Sequence, residues 1–380
     1  MAPSALAIHL AVSGIGMLSS LGLDAATSCA SARAGLSRAA PLDAFQLYSD
    51  ADWGNVGVTG HAAREYTRGF EGFGKLVRLG SGALADLLRT TPLQAVEWPR
   101  TALCVTVSSA YFETAAACLP EAGAEAAAAL ADLSQAVRNA LLARVCTLNR
   151  VDCNPSLQFL FIDDQAGFCH ALLKAQQLLA DGLADRCIVG GIDALTEGAT
   201  LAAAHQFHAL KTEAQAAGFQ PGEAAAFVLI ESAAGAQAAG RPVLAQMVAA
   251  AVGLDPIGRA GTEPAVGIGL AGTMAECLRA SPDHAPHVGW MLGDLNGDAF
   301  RANDWGYALV RLMPEHPSLG DCAMTLPAES FGELGAATGP VSVCMAVRGF
   351  ARRYAPSSTA MAWLSSYSGS RGAFIIRSET

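Results

Sequence analysis

The stretch Leu157-Gln158-Phe159-Leu160-Phe161-Ile162, continued by Asp163-Asp164-Gln165-Ala166-Gly167 and closed by Cys187-Ile188-Val189-Gly190-Gly191, decides the fold. Its first six residues are almost continuously apolar, as in a strand buried on both faces. Phe168, Leu172, Ala175 and Leu179 then recur at helical spacing, so the chain passes from strand to helix through a sharp turn at Gln165. Gly182 stops that helix, and residues 187–191 supply another short buried strand. Strand, turn, helix and strand within about 30 residues make one βαβ unit.

Upstream of this unit, residues 7–12 read as a strand, Ser13-Gly14-Ile15-Gly16 as a Gly-rich turn, and the residues up to Ala34 as a helix. Residues 101–107 form a second apolar strand, and an Ala-rich helical stretch runs from about 121 to 142. Downstream, a loop at 215–222 leads into a strand at 224–231 and a short helix closed by Gly240-Arg241-Pro242. A second, shorter series starts at Val243, with a strand, a helix at 270–279, a strand at 288–292, a helix and a strand. The repeated order predicts a duplicated α/β module with mixed sheets, divided into halves 1–241 and 242–380.

Composition narrows the function. Hydrophobic residues make up 52% of the 380 and charged residues 15%, and mean hydropathy is +0.32, which suits a large core and a buried subunit interface rather than disorder. No apolar run reaches membrane-spanning length, and the start lacks the basic region of a signal peptide, so a cytoplasmic protein is expected. A net charge of −10 opposes nonspecific nucleic-acid binding. Arg348, Arg352 and Arg353 form a local basic patch that could meet an acidic carrier protein, with surface solvation as the plainer role. Ten cysteines without a CxxC pair suggest buried, reduced thiols, not a zinc ribbon or a disulfide framework.

Three segments carry a resemblance. Gly182-Leu183-Ala184-Asp185 with Gly190-Gly191-Ile192-Asp193-Ala194-Leu195, Gly218-Phe219-Gln220-Pro221-Gly222-Glu223, and Asn303-Asp304 with Phe331-Gly332-Glu333-Leu334-Gly335-Ala336 occur in the order of β-ketoacyl synthase motifs. The chain therefore resembles a β-ketoacyl-ACP synthase of the thiolase superfamily. That resemblance implies a five-layer αβαβα fold built from duplicated βαβαβ modules. It also implies a homodimer, or a heterodimer with an active ketosynthase, formed by edge strands such as residues 101–107. An acyl carrier protein would be a further partner, and neither cofactor nor metal is implied.

The resemblance also locates the catalytic positions. The nucleophilic Cys of the family sits at the strand-to-helix turn, where this chain has Gln165; an amide cannot be acylated as a thiolate is. Cys169, one helical turn on, reads as a packing residue. The first family His falls on Asn296, seven residues before Asn303-Asp304. The second falls on Glu333 or, in the other register, Gly332, and the family Lys five residues earlier on Ala328 or Pro327. The C-terminal Gly-rich loop is altered to Ser366-Tyr367-Ser368-Gly369-Ser370-Arg371-Gly372. Gln at the nucleophile position also occurs in chain-length factors, so a non-condensing partner or scaffold in fatty-acid, polyketide or polyene biosynthesis is expected.

An alternative is a repurposed enzyme for acyl transfer, hydrolysis or decarboxylation of an acyl thioester, using Glu333 as base and Asn296 to orient a carbonyl. Asp164, Asp298, Asn303, Asp304, Ser368 and Gly369 would line its pocket. The plainer alternative is a relict pocket whose polar residues satisfy one another. Asp163 and Asp164 read equally as caps of the following helix. Gly267-Ile268-Gly269-Leu270-Ala271-Gly272 fits GxGxxG without a clear preceding strand, and reads as a helix-start turn packed closely on its neighbour.

Overall fold

The computed structural model describes residues 3–49, 53–108, 135–137, 140–212, 215–257 and 264–379. The helix expected at 121–142 lies largely outside the described residues; 135–137 and 140–142 are helical. Among the described residues the strands are β1 (Ser4–Ser19), β2 (Ala40–Ser49), β3 (Gly54–Gly60), β4 (Thr101–Val107), β5 (Gln158–Ile162), β6 (Arg186–Ala194), β7 (Glu223–Glu231), β8 (Ala245–Leu254), β9 (Trp290–Leu292), β10 (Ala323–Thr325), β11 (Thr359–Ser365) and β12 (Ser370–Ser378). Strands β2 and β3 form a separate hairpin, and the other ten hydrogen-bond in the order β10-β9-β11-β12-β8-β1-β7-β6-β4-β5.

That order is a duplication. Reading outward from the β1–β8 junction, each set of five has two antiparallel pairings followed by two parallel ones: β1-β7-β6-β4-β5 on one side and β8-β12-β11-β9-β10 on the other. The two series deduced from the sequence are thus one topology used twice.

Alternation along the strands builds the layers. Ala102, Cys104, Cys187, Val189, Ala226 and Val228 of one set, with Met247, Ala250, Ala362 and Phe374 of the other, share a core with helices Gly167–Ala180 and Thr338–Ala351. Their sequence neighbours face outward. Leu103, Val105, Ile188 and Phe227 pack against helix Gly72–Thr90, and Ala249, Met361, Trp363 and Ile375 against helices Ile268–Arg279 and Ala299–Leu312. Two helices in the middle, two half-sheets around them and helices outside give five layers. Burial on both faces explains why the strands read as apolar runs rather than alternating patterns.

Several expectations are corrected. Ser13-Gly14-Ile15-Gly16 is not a turn but the middle of β1, with a register shift between Val12 and Gly14. A Cβ on Gly16 would lie 2.3 Å from Leu87 N and 2.4 Å from Ala83 O, so the glycine lets the backbone of helix Gly72–Thr90 rest directly on the strand. Strand β4 is not an edge: it pairs with both β6 and β5 and is buried throughout, leaving β5 at the margin. The cysteines are not all free. A tight reversal after the helix ending near Asn149, with Val151 N donating to Cys146 O, brings Cys146 and Cys153 together as a disulfide, Cα to Cα 6.4 Å. No helix among the described residues is long and apolar enough to cross a membrane.

Gly16→Val is expected to destabilise the fold by about 3 kcal/mol, because helix backbone cannot yield as a side chain can. Urea denaturation measures this; an unchanged midpoint would show that the helix does not rest on the strand as described.

Candidate functional site

Three chain turns meet at one carboxylate. Strand β5 ends at the turn holding Gln165, whose neighbour Ala166 donates its N–H to Ser366 Oγ at 3.0 Å. Strand β9 leads to Asn296, whose Oδ1 accepts from Asp298 N at 3.0 Å. Glu333 follows helix Pro327–Phe331 and is tied at both backbone groups to the strap before β7: its N–H donates to Gln220 O at 2.7 Å, and its carbonyl accepts from Gly222 N at 2.9 Å. Gly191 lies beneath the same loop, where a Cβ would meet Ala336 O at 2.0 Å. Asp193, two residues on, accepts from Ala336 N at 2.8 Å and fixes the loop from the other side. Burial pushes the Asp193 carboxyl well above the usual carboxylate range.

Glu333 is 2% exposed and Gln165 1%. Glu333 Oε1 accepts from Gln165 Nε2 at 2.6 Å and from Gly335 N at 2.8 Å. Oε2 accepts from Asn296 Nδ2 and lies 3.2 Å from Arg301 Nη1. Glu333, not Gly332, is thus the residue in contact with Gln165 and Asn296; Gly332 is the left-handed residue, φ 74°, that precedes it.

Arg301 is the residue that the motif spacing did not single out. It is 2% exposed, donates to Asp294 O at 2.8 Å, lies 3.4 Å from Asp294 Oδ2, and its guanidinium sits 4.8 Å from the Tyr367 ring centre. Burial opposes its charge, but Glu333, Tyr367 and Asp294 together raise its pKa. Burial pushes the Asp294 carboxyl up to about 6 even though Arg301 and the Ser365 N–H pull it down. Tyr367 Oη accepts from Asn296 Nδ2 at 3.3 Å, and burial raises the phenol pKa. A cation five residues after Asn296 and a Tyr in the Gly-rich loop were visible in sequence, but nothing in their spacing tied them to Glu333.

Other predicted residues take structural posts. Asp298 caps helix Ala299–Leu312 by accepting from Phe300 N at 3.2 Å. Asp304 is withdrawn into an ion pair with Arg371 at 3.0 Å, both side chains essentially unexposed, and burial raises its pKa against the pull of that arginine. Asn303, on the same helix, is exposed, whereas the next two residues, Asp304 and Trp305, are buried. Ser368 is exposed as well; its hydroxyl donates to Asp163 at 3.3 Å and accepts from Ser370 N at 3.4 Å. Gly369 is buried, with φ 102°, and its carbonyl accepts from Asp255 N at 2.8 Å. Neither Asp163 nor Asp164 caps the helix, whose N-cap is Ala166; Asp164 accepts from Ser108 Oγ at 2.7 Å instead. Cys169 is fully buried against Gly372, and burial raises its thiol pKa. Gly267, φ 67°, opens helix Ile268–Arg279 in close contact with Ala308 N, as the helix-start reading expects.

The five-layer duplicated architecture, with a strand-to-helix turn at Gln165 facing two loops of the second half, defines a thiolase-like fold of the ketosynthase type. The comparisons agree. A chain from the complex of a type II polyketide acyl-carrier protein with its ketosynthase bound to the hexaketide superposes with TM-score 0.74 at 13% identity, over 98% of this chain and 100% of that one. The oxazolomycin ketosynthase domain of Streptomyces albus JA3453 gives 0.75 at 15% identity over 98% and 74%. The ishigamide ketosynthase/chain length factor gives 0.67 at 16% over 98% and 99%. No family model and no curated protein sequence matches the chain, so what is shared is the fold.

Two outcomes test the site. Removing one member of a buried ion pair costs about 3–5 kcal/mol, so Arg301→Met and Glu333→Gln should each destabilise strongly, and the double variant by clearly less than their sum; additive losses in urea denaturation would contradict the pairing. Asp294 holds its proton more tightly when folded than an Asp at its ordinary value of 3.8, so its contribution to stability is greatest below that pH and is lost as pH rises through about 6. Stability of Asp294→Asn between pH 4 and 7 should accordingly fall less, or rise more, with pH than that of the unsubstituted protein.

Proposed function

We propose that this chain is a ketosynthase-like subunit that does not condense, acting in the cytoplasm as partner or scaffold to an active ketosynthase in carrier-protein-dependent fatty-acid, polyketide or polyene assembly. The observation that carries the proposal is the engagement of Glu333: two amides, a backbone N–H and a guanidinium occupy both carboxylate oxygens. In this reading Gln165, Asn296 and Glu333 stand at the positions of the family's Cys and two His. A thioester cannot form on Gln165, and the enolate that decarboxylation produces would meet a carboxylate where it needs a donor. The relict-pocket reading of the sequence is the one this geometry supports.

The repurposed-enzyme alternative needs Glu333 as a free base. With its lone pairs engaged and Arg301 as counter-charge, proton abstraction would first require Gln165 or Asn296 to let go. The likeness to a ketosynthase/chain length factor and to a ketosynthase complexed with its carrier protein supports the choice of partners. Strand β5, at the margin of the sheet with Phe159 and Phe161 half-buried, is the edge at which a second subunit could add a strand.

The test uses the whole chain with radiolabelled acyl and malonyl thioesters. No label on the polypeptide and no released carbon dioxide are expected, and Gln165→Cys should not condense, because the side chain beside that position is the Glu333 carboxylate. Turnover by the chain alone that disappears in Glu333→Gln would establish the alternative. Co-expression with a Cys-His-His ketosynthase from the same source should give one co-eluting complex; separate elution would count against the partner role.

A further inference from the structure

Helix Thr338–Ala351 begins beside the Glu333 loop, and its other end opens on two joined clefts. Fourteen residues at about 1.5 Å each set the two ends roughly 20 Å apart. The larger cleft, about 660 Å³, has Ile15, Thr91, Val96, Leu244 and Val347 in its walls, with Arg241 among them. The smaller, about 490 Å³, is lined by Arg33, Arg352 and Tyr354, and Ala26 and Arg348 line both. Five arginines face the two clefts against the carboxylates of Asp86 and Glu97, in a chain whose net charge is −10.

Most of these cations are already engaged. Arg241 donates to Glu231 at 2.8 and 2.7 Å and to Glu97 at 2.7 Å. Arg89 lies 2.6 Å from Asp86, and Arg33 is stacked 4.2 Å from the Tyr354 ring centre. Arg348 differs: half-buried at the divide between the clefts, it makes no side-chain hydrogen bond or ion pair among the described residues. Arg352, exposed one turn further, adds a second charge on the open side. The last turn of a helix favours cations, which accounts for an arginine there. It does not account for the apolar-walled cleft beside that arginine.

We propose that the joined clefts bind one amphipathic organic anion, an oxyanion headgroup resting on Arg348 between Arg33 and Arg352 with an apolar body in the larger cleft. The guanidinium fork suits a phosphate or a carboxylate, and both share that headgroup chemistry. Arg241 shapes the wall and is not the ligand's counter-ion, because Glu231 and Glu97 hold it.

Isothermal titration of the full chain with octyl phosphate, octanoate, inorganic phosphate and octyl glucoside, each below its micellar concentration, tests this. One octyl phosphate or octanoate per chain is expected, the tighter of the two naming the headgroup, with inorganic phosphate weaker and octyl glucoside inert. Losing one charge-assisted contact corresponds to about tenfold in affinity. Arg348→Gln should show that loss, and Arg352→Gln, at an exposed position that the fold does not need, a smaller one. Equal binding by both variants and the unsubstituted chain, equal binding of octyl glucoside, or no binding of either anion would overturn the proposal. Binding of a polyglutamate peptide but of neither amphiphile would assign the surface to an acidic protein and overturn it equally.

Discussion

A carboxylate enclosed by protein must find partners for its charge and its lone pairs, and the arrangement around Glu333 follows from that requirement. Arg301 supplies the counter-charge from helix Ala299–Leu312, and Gln165 and Asn296 each supply an amide N–H from separate turns. Arg301 in turn needs Asp294, whose carbonyl and carboxylate take up its remaining charge, and Asp294 needs the Ser365 N–H. One buried charge thus draws residues from both sets of strands into a single network. Both oxygens of Glu333 are engaged, and that fixes the loops that meet there, while Asp294 Oδ1, Arg301 Nε and Nη2 and Gln165 Oε1 find no hydrogen-bond partner among the described residues.

The scaffold makes this closure possible by letting backbones touch. Gly191 on β6 allows the Glu333 loop to lie on the sheet, and Asp193 then grips Ala336 N. The strap at Gln220–Gly222 pins Glu333 from the opposite side through two backbone hydrogen bonds. Gly16 performs a similar service on the outer face, where helix Gly72–Thr90 meets β1. Glycine placement therefore serves close approach at these two strands, not chain reversal.

This distinction shows what the sequence could convey. The apolar runs at 101–107, 158–162 and 224–231 were readable because strands buried on both faces leave no polar alternation, and the repeat of element order carried the duplication. Gln165, Asn296 and Glu333 were located through the resemblance to β-ketoacyl synthase motifs, and their side chains do meet. Ser13-Gly14-Ile15-Gly16 misled because a glycine needed for contact looks like a glycine needed for a turn. Asn303 and Asp304 misled because adjacent residues on a helix point in different directions: one went to solvent and the other to Arg371. Arg301 and the Cys146–Cys153 pair left no local signature, since their partners are fixed by the packing of distant segments and by a tight reversal.

Under the proposed non-condensing role, the same network would serve to keep the centre shut. For Glu333 to accept a proton from a substrate, Gln165 or Asn296 must withdraw; Asn296 would keep only its longer contact with Tyr367, and Gln165, whose Oε1 has no partner among the described residues, would lose the bond its Nε2 makes. Arg301, 3.2 Å away, would at the same time keep its hold on the carboxylate. Both effects favour the closed arrangement over the open one, and both grow as water is excluded. Catalysis at such a centre would need binding energy from a substrate to break the network before it could use it, whereas a scaffold needs the network only to stay shut.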